Sequence, residues 1–316
     1  MRKAPLVLSL AGLLLCPLLA RPAAVEDTFT LAILPDLQPE VSNNRFRERL
    51  QWLVKNRAAL NLKMVLQVGD MMNFNDEAQY KHQSEALKVL DDANIPYATC
   101  LGNHDTAAVK VDGGSAAPGN VNANLRNTAR YNTYFPTTRY RLLAGTYEAG
   151  KIDNACHVLK AGGLNWLVIN LELWARKGAV DWAKTMVAKY PDHNVIFLTH
   201  AHLNGDGTIQ KDNGGYGNSG AQYVFDQAMK PYDNVRLVFS GHVGSHGYRA
   251  DKGTKGNTIY QFLQCYHDNT ANPTRLLEID TRNGTMKTRV FCPSNNQDKD
   301  DGSARTITGV QWVKPK

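Results

Sequence analysis

Short apolar runs recur along this chain, and five of them stop at a residue able to hold or serve a metal ion. LAIL leads to Asp36, MVLQVG to Asp70, IPYATCLG to Asn103 and His104, NVIFLT to His200 and VRLVFSG to His242. Apolar runs of four to eight residues closed by Gly or Asp predict buried strands. In sheets covered on both faces, ligand sites form beyond the carboxyl ends of the strands. Five such endings in order, all oxygen or imidazole donors, predict a metal cluster at one edge of the strands.

Between the runs the period changes. Residues 45–60 place Phe46, Leu50, Leu53, Val54 and Leu60 near helical spacing, and residues 77–93 do the same with Ala78, Leu87, Val89 and Leu90, so both predict amphipathic helices. The steps from Asp36 to Asp70 and from Asp70 to His104 are each 34 residues, the length of a strand–helix–strand crossover between parallel strands. The first half therefore predicts βαβαβ. From Tyr131 to Gly163 the pattern is irregular and aromatic. Strands follow at 155–160 and 164–171, then a helix over 172–190, then strands at 194–199 and 235–241 around a helix at 220–230. Late runs at 257–265, 275–280 and 285–291 predict further strands, with a hairpin turn at Arg282-Asn283-Gly284. Glycine-rich stretches at 111–120 and 213–220 read as rim loops. The acidic stretch Ser294–Gly302 predicts a loose polar tail over 294–316, with Val310–Val313 as a segment able to dock back.

The ends and the charge narrow the setting. Met1-Arg2-Lys3, an apolar centre to Ala20 and Arg21-Pro22-Ala23-Ala24 predict a signal peptide over residues 1–24, with the apolar part short of the ~20 residues of a spanning helix. The expected destination is secreted or periplasmic, with no later transmembrane segment and one domain over 25–293. The formal charge is +7, but Lys and Arg are scattered, which favours solubility and predicts no nucleic-acid-binding module. Cys100, Cys156, Cys265 and Cys292 permit two disulfides. Cys100 and Cys265 lie in strand runs, where buried free thiols are equally expected. None has CxxC spacing, which argues against a zinc ribbon.

Taken together, Asp36-Leu37-Gln38, Gly69-Asp70, Gly102-Asn103-His104-Asp105, His200 and Gly241-His242 resemble the calcineurin-like metallophosphoesterase family, whose pattern runs D-x-H, G-D, G-N-H-[DE], H and G-H-x-H. The resemblance spans residues 30 to 246. This chain is a D-x-Q variant, and Gly244 replaces the last histidine. The resemblance implies an α/β fold, a four-layer α/β/β/α sandwich of two mixed sheets. It also implies an exported enzyme that hydrolyses a phosphate mono- or diester by metal-bound hydroxide at a dinuclear site. Asp36 and Gln38 then belong to the first of two divalent ions, Asp70 bridges both, and Asn103, His200 and His242 complete the second. His104 is the general acid, with Asp105 accepting from its ring to fix the tautomer.

The cofactors implied are two divalent ions drawn from manganese, iron, zinc or magnesium. The first is expected to be the weaker and harder one, because both departures remove its imidazoles. His246 is either a replacement ligand or a loop histidine. His202 lines the pocket or faces solvent, and His267 ends a strand within reach of the site. His82, His157 and His193 are expected at the surface, and Arg139 and Arg141 in aromatic packing. The rival reading is a non-catalytic secreted binding protein on the same fold with a single structural metal.

Overall fold

β1 (Thr28–Leu34), β2 (Leu62–Gln67) and β3 (Tyr97–Thr99) alternate with helices α1 (Arg45–Lys55) and α2 (Glu77–Asp92). The strands pair in parallel, β1 with β2 and β2 with β3, as the 34-residue spacing predicts. These assignments come from a computed structural model that describes Met1 and residues 26–109, 124–215, 218–267 and 271–316. The leader after Met1 and the loop at 111–120 lie outside the described residues.

Strand β11 (Thr274–Asp280) returns antiparallel to β1 and leads into β12 (Thr285–Cys292), which pairs with both β13 (Gln297–Asp298) and β14 (Arg305–Ile307). The second sheet runs in the order β4 (Leu143–Thr146), β5 (Ala155–Ala161), β6 (Leu164–Leu171), β7 (His193–Thr199), β8 (Val235–Ser240), β10 (Thr258–Gln264), β9 (His246–Lys252). Its centre, β6 through β10, is parallel, and its flanks are antiparallel.

Alternation along the strands sorts the core into layers. Phe29, Leu31 and Ile33 of β1 meet Trp166, Val168, Ile196 and Phe239 of the second sheet, so this is the seam between the sheets. The opposite face of β1, Ala32 and Leu34, packs on Phe46, Leu50 and Leu53 of α1 and Leu87 and Leu90 of α2. Outside the second sheet, Leu167, Ile169 and Phe197 pack on Ala179, Val180 and Val187 of α4 (Lys177–Lys189) and on Val224 and Phe225 of α5, the turn Ala221–Val224 continued as a π-helix over Phe225–Met229; α3, Ala129–Tyr134, packs in the α1–α2 layer through Tyr131. The result is the expected α/β/β/α sandwich of two mixed sheets. No helix among the described residues is long and apolar enough to cross a membrane.

Four expectations change. The helix expected over 172–190 begins only at Lys177, because Trp174 takes a left-handed φ of +43° that no helix accommodates. Strand β9, HGYRADK, has no apolar run and forms on the sheet edge, where one partner suffices. The segment after Ser294 is not loose. β14 joins the first sheet, while Asn194 of β7 exchanges hydrogen bonds with Val313 and Arg236 of β8 donates to the Gln311 carbonyl. Trp312 packs edge-on to Trp166, their centroids 5.2 Å apart, so the C-terminal strap spans both sheets. Of the two alternatives for the cysteines, the buried free thiol is the one found at Cys100, Cys156, Cys265 and Cys292.

The fourth change concerns His157, which is fully buried rather than exposed. Its ring lies beside Tyr140 and shares a 3.1 Å contact with Asn170 Oδ1. Burial pushes its pKa from 6.5 down to about 4. A depressed imidazole binds its proton more readily in the unfolded chain, so its contribution to stability is complete above about pH 6.5 and is lost as pH falls toward 4. The shift corresponds to a loss on the order of 3 kcal/mol. Urea unfolding at pH 7 and near pH 4.5 should show His157→Gln losing less stability between the two than the wild type.

Candidate metal centre

The parallel strands of both sheets open toward one edge, and the five run endings converge there. His104 N–H donates to Asp70 Oδ1 at 2.9 Å, His200 Nε2 lies 3.0 Å from Asp70 Oδ2, and His242 Nδ1 lies 3.2 Å from His200 Nε2. The His242 N–H approaches Asp36 Oδ2 at 3.3 Å. Donor atoms of Asp70, His200 and His242 all lie within 4.8 Å of one another, and so do those of Asp36, Cys265 and His267.

The glycines before these ligands have a steric reason. A Cβ on Gly102 would stand 1.9 Å from Asp70 Oδ1, and one on Gly241 would stand 2.2 Å from Asp36 Oδ1. Each glycine thus leaves room for a carboxylate from another strand. Asp70 and His242 themselves sit at φ +54° and +78°, conformations that cost L-residues of order 1–3 kcal/mol. Asp105 holds this backbone in place, accepting N–H groups from Asp70 (2.8 Å), Met72 (3.0 Å) and Gly102 (2.9 Å).

The donor set fits a divalent cation. His200 Nδ1 faces the Val68 carbonyl at 2.8 Å, which fixes the proton there and turns Nε2 toward Asp70 and His242. Asn103 Oδ1 is buried without a hydrogen-bond partner, an arrangement that costs about 1–3 kcal/mol unless a cation or donor meets it. The field is strongly cation-seeking. Burial works against a charge on His200, yet the Asp70 and Asp36 carboxylates push its pKa up to about 10. Burial, and then the charge of His200, push His242 down to about 3. Burial raises Asp36, with His200 and His267 opposing it.

Several residues stand elsewhere than expected. Asp105 does not touch the His104 ring; its carboxylate is engaged by backbone N–H groups, and the His104 Nδ1 faces the Asn73 carbonyl instead. Gln38 meets Asp70 Oδ2 through its amide nitrogen at 2.5 Å, as a donor, so its oxygen is not the atom turned to the bridge position; a half-turn of the amide exchanges the two. His246 opens β9 and lies 3.9 Å from Asp301, its ring tilted over Tyr266. His202 is buried against Gln261 Oε1 at 2.6 Å, neither in the pocket nor in solvent. His267, by contrast, places Nε2 2.8 Å from Asp36 Oδ2, and Cys265, which sequence reasoning passed over, places Sγ 3.2 Å from the same oxygen.

Beside the ligands lies a hollow of about 430 Å³ lined by Asn103, Trp174, Asn204, Lys211, Asp212 and His242. Trp174 stands edge-on to His242 at 5.3 Å, and Arg126 holds its carbonyl at 2.7 Å. A hollow of similar size between β1, β11, β12 and β14 contains no histidine or cysteine, so donor chemistry rather than volume locates the site.

Comparison with known proteins agrees with this arrangement. The calcineurin-like phosphoesterase profile matches residues 29–245. A Bacillus subtilis (strain 168) protein described as uncharacterized, YvnB, is 23% identical over 285 residues, covering 85% of this chain but 20% of its own length. The chain thus spans about a fifth of that relative. Among solved structures, a dimetal phosphatase from Danio rerio superposes with a TM-score of 0.53 at 11% identity, over 89% of this chain and 98% of its own. GAP50, the anchor in the inner membrane complex of Plasmodium, does so at 0.50 and 10%, over 92% and 90%. At such identities the likeness is one of fold.

Proposed function

Because the chain belongs to the calcineurin-like phosphoesterase family, we propose that it is an exported metal-dependent hydrolase of phosphate mono- or diesters. The observation that carries this reading is the convergence of donor atoms of Asp70, His200 and His242 within 4.8 Å, with Asn103, whose buried Oδ1 has no hydrogen-bond partner, lining the same hollow as His242. Asp70 is the bridging carboxylate, Asp36 and Gln38 serve the first ion, and Asn103, His200 and His242 serve the second. Two divalent ions held there would polarise a phosphoryl oxygen and make a water nucleophilic at neutral pH. The residues supply the rest. Asn103 brings an uncharged oxygen, which leaves net positive charge to attract phosphate.

His104 stands next to the bridge through its backbone. With Nδ1 donating to the Asn73 carbonyl, Nε2 is the nitrogen free to protonate a leaving alkoxide. Asp105 positions the Asp70 backbone rather than that ring. His104→Ala should therefore slow hydrolysis of alkyl phosphates by about 10²–10⁴. Esters of p-nitrophenol, whose leaving group needs little protonation, should suffer less, and bound metal should be unchanged. Equal losses on both ester types would contradict an acid role.

The fold alone does not decide catalysis, since GAP50 is described as an anchor. The oriented His104 favours the enzyme, because a binding scaffold has no use for a proton donor at the ligand edge. Assays with p-nitrophenyl phosphate and bis-p-nitrophenyl phosphate, with manganese added, test the reading. Absence of turnover on both with metal bound would favour the binding protein. Export rests on the basic start and apolar run of residues 1–24. N-terminal sequencing of protein recovered outside the cytoplasm tests it.

A further inference from the structure

Strand β10 pairs in parallel with β8, so its carboxyl end opens at the same edge as the five ligand-bearing ends. Just past it Tyr266 takes a left-handed φ of +56°, and the residues on either side, Cys265 and His267, both reach Asp36. Their donor atoms and an Asp36 oxygen lie within 4.8 Å of one another. The contact is built into the backbone, since the Asp36 N–H also donates to the Cys265 carbonyl at 3.1 Å. Cys265 is completely buried, so its sulfur is shielded from random chemistry, while His267 stands at the rim.

We infer that His267 and Cys265 complete the ion site at Asp36, giving it nitrogen and sulfur donors and directing it to zinc or ferrous iron rather than magnesium. This rests on the metal-dependent reading above. Under that reading the first ion lacks two family histidines, because Gln38 and Gly244 stand in their places, and His246 faces Asp301. Cys265 and His267 supply an imidazole and a thiolate from a strand end the family pattern does not mark. Thiolate and imidazole suit zinc and iron, whereas magnesium prefers carboxylate, carbonyl and water oxygens. Loading is a simple exchange. The Cys265 thiol gives its proton to solvent, its freed electron pair forms the sulfur–metal bond, and nothing is oxidised or reduced.

Cobalt(II), which substitutes for zinc, is the probe. The metal-free full-length protein, Cys265→Ser and His267→Ala are titrated with cobalt and followed by metal analysis and near-ultraviolet absorption, with circular dichroism confirming the fold. Wild type should bind two ions and develop a sulfur-to-cobalt charge-transfer band. Cys265→Ser should lose the band. His267→Ala, whose ring is partly exposed and therefore a mild change for the fold, should bind one of the two ions at least tenfold more weakly. Two ions in wild type with no band, and unchanged affinities in both variants, would overturn the inference and leave the phosphoesterase reading standing. A wild-type protein that takes up no cobalt, zinc or manganese would overturn both.

Discussion

Asp70→Asn should abolish phosphoester hydrolysis, with turnover lower by at least about a thousandfold, equivalent to about 4 kcal/mol of barrier. Both metal ions should be lost or bound far more weakly. The side chain keeps its shape, so the change is one of charge and of hydrogen-bond sense. Asp70 Oδ2 now faces two N–H groups or ring nitrogens, Gln38 Nε2 at 2.5 Å and His200 Nε2 at 3.0 Å. An amide must either turn its own N–H groups toward those or swap ends and turn them toward the His104 N–H at 2.9 Å. In either orientation the negative charge that holds the cations is gone. Metal analysis beside kinetics checks this. An Asp70→Asn protein with wild-type metal content would contradict the bridging role, and a metal loss in His104→Ala as large as in Asp70→Asn would contradict the division between ligand and acid.

Much of this centre was legible in the chain because each donor follows an apolar strand, and strand ends at a sheet edge converge whatever the intervening loops do. The rule was applied too narrowly. The run at 257–265 ends in Cys265, with His267 two residues on, and the same reasoning applied there finds the sixth ending. That run closes on neither Gly nor Asp, and the turn that brings both residues to Asp36 depends on the backbone of Tyr266. The role of Asp105 was not legible for a related reason. Its partners are backbone N–H groups of Asp70, Met72 and Gly102, and main-chain donors leave no trace in residue identity. His157 was misplaced because its cover, Tyr140, comes from the aperiodic stretch before β4.

Arg49→Met should cost about 3–5 kcal/mol of folding stability. Arg49 of α1 is completely buried and forks onto Glu40, Nη2 to Oε1 at 2.6 Å and Nη1 to Oε2 at 2.8 Å, while Nε reaches the Asn272 carbonyl at 3.3 Å. Removing the guanidinium leaves the Glu40 carboxylate buried without its counter-charge, which is the expensive half of such a pair. Replacing both, as Glu40→Leu with Arg49→Met, should recover most of the loss, because an apolar pair of similar volume needs no desolvation of charge. Urea unfolding of the single and double variants checks this; equal losses in the two would show that packing, not charge, dominates. Glu40 closes the short turn that starts at Gln38, so the single variant should also loosen the chain beside Asp36.

The pairing of β1 with β11 sets a timetable for the newborn chain. The antiparallel neighbour of β1, TFTLAIL, is made about 250 residues after it. Asp36 and the Cys265 sulfur it touches are 229 residues apart. At roughly 5–20 residues per second, the interval is on the order of ten to forty-five seconds. Through that time β1 has an apolar strand edge with nothing to pair with, and such an edge is a template for aggregation. The nascent protein is thus a natural client for chaperones, and its metal donors stay scattered until β10 and β11 have emerged, so the centre cannot capture ions ahead of the fold that shapes it.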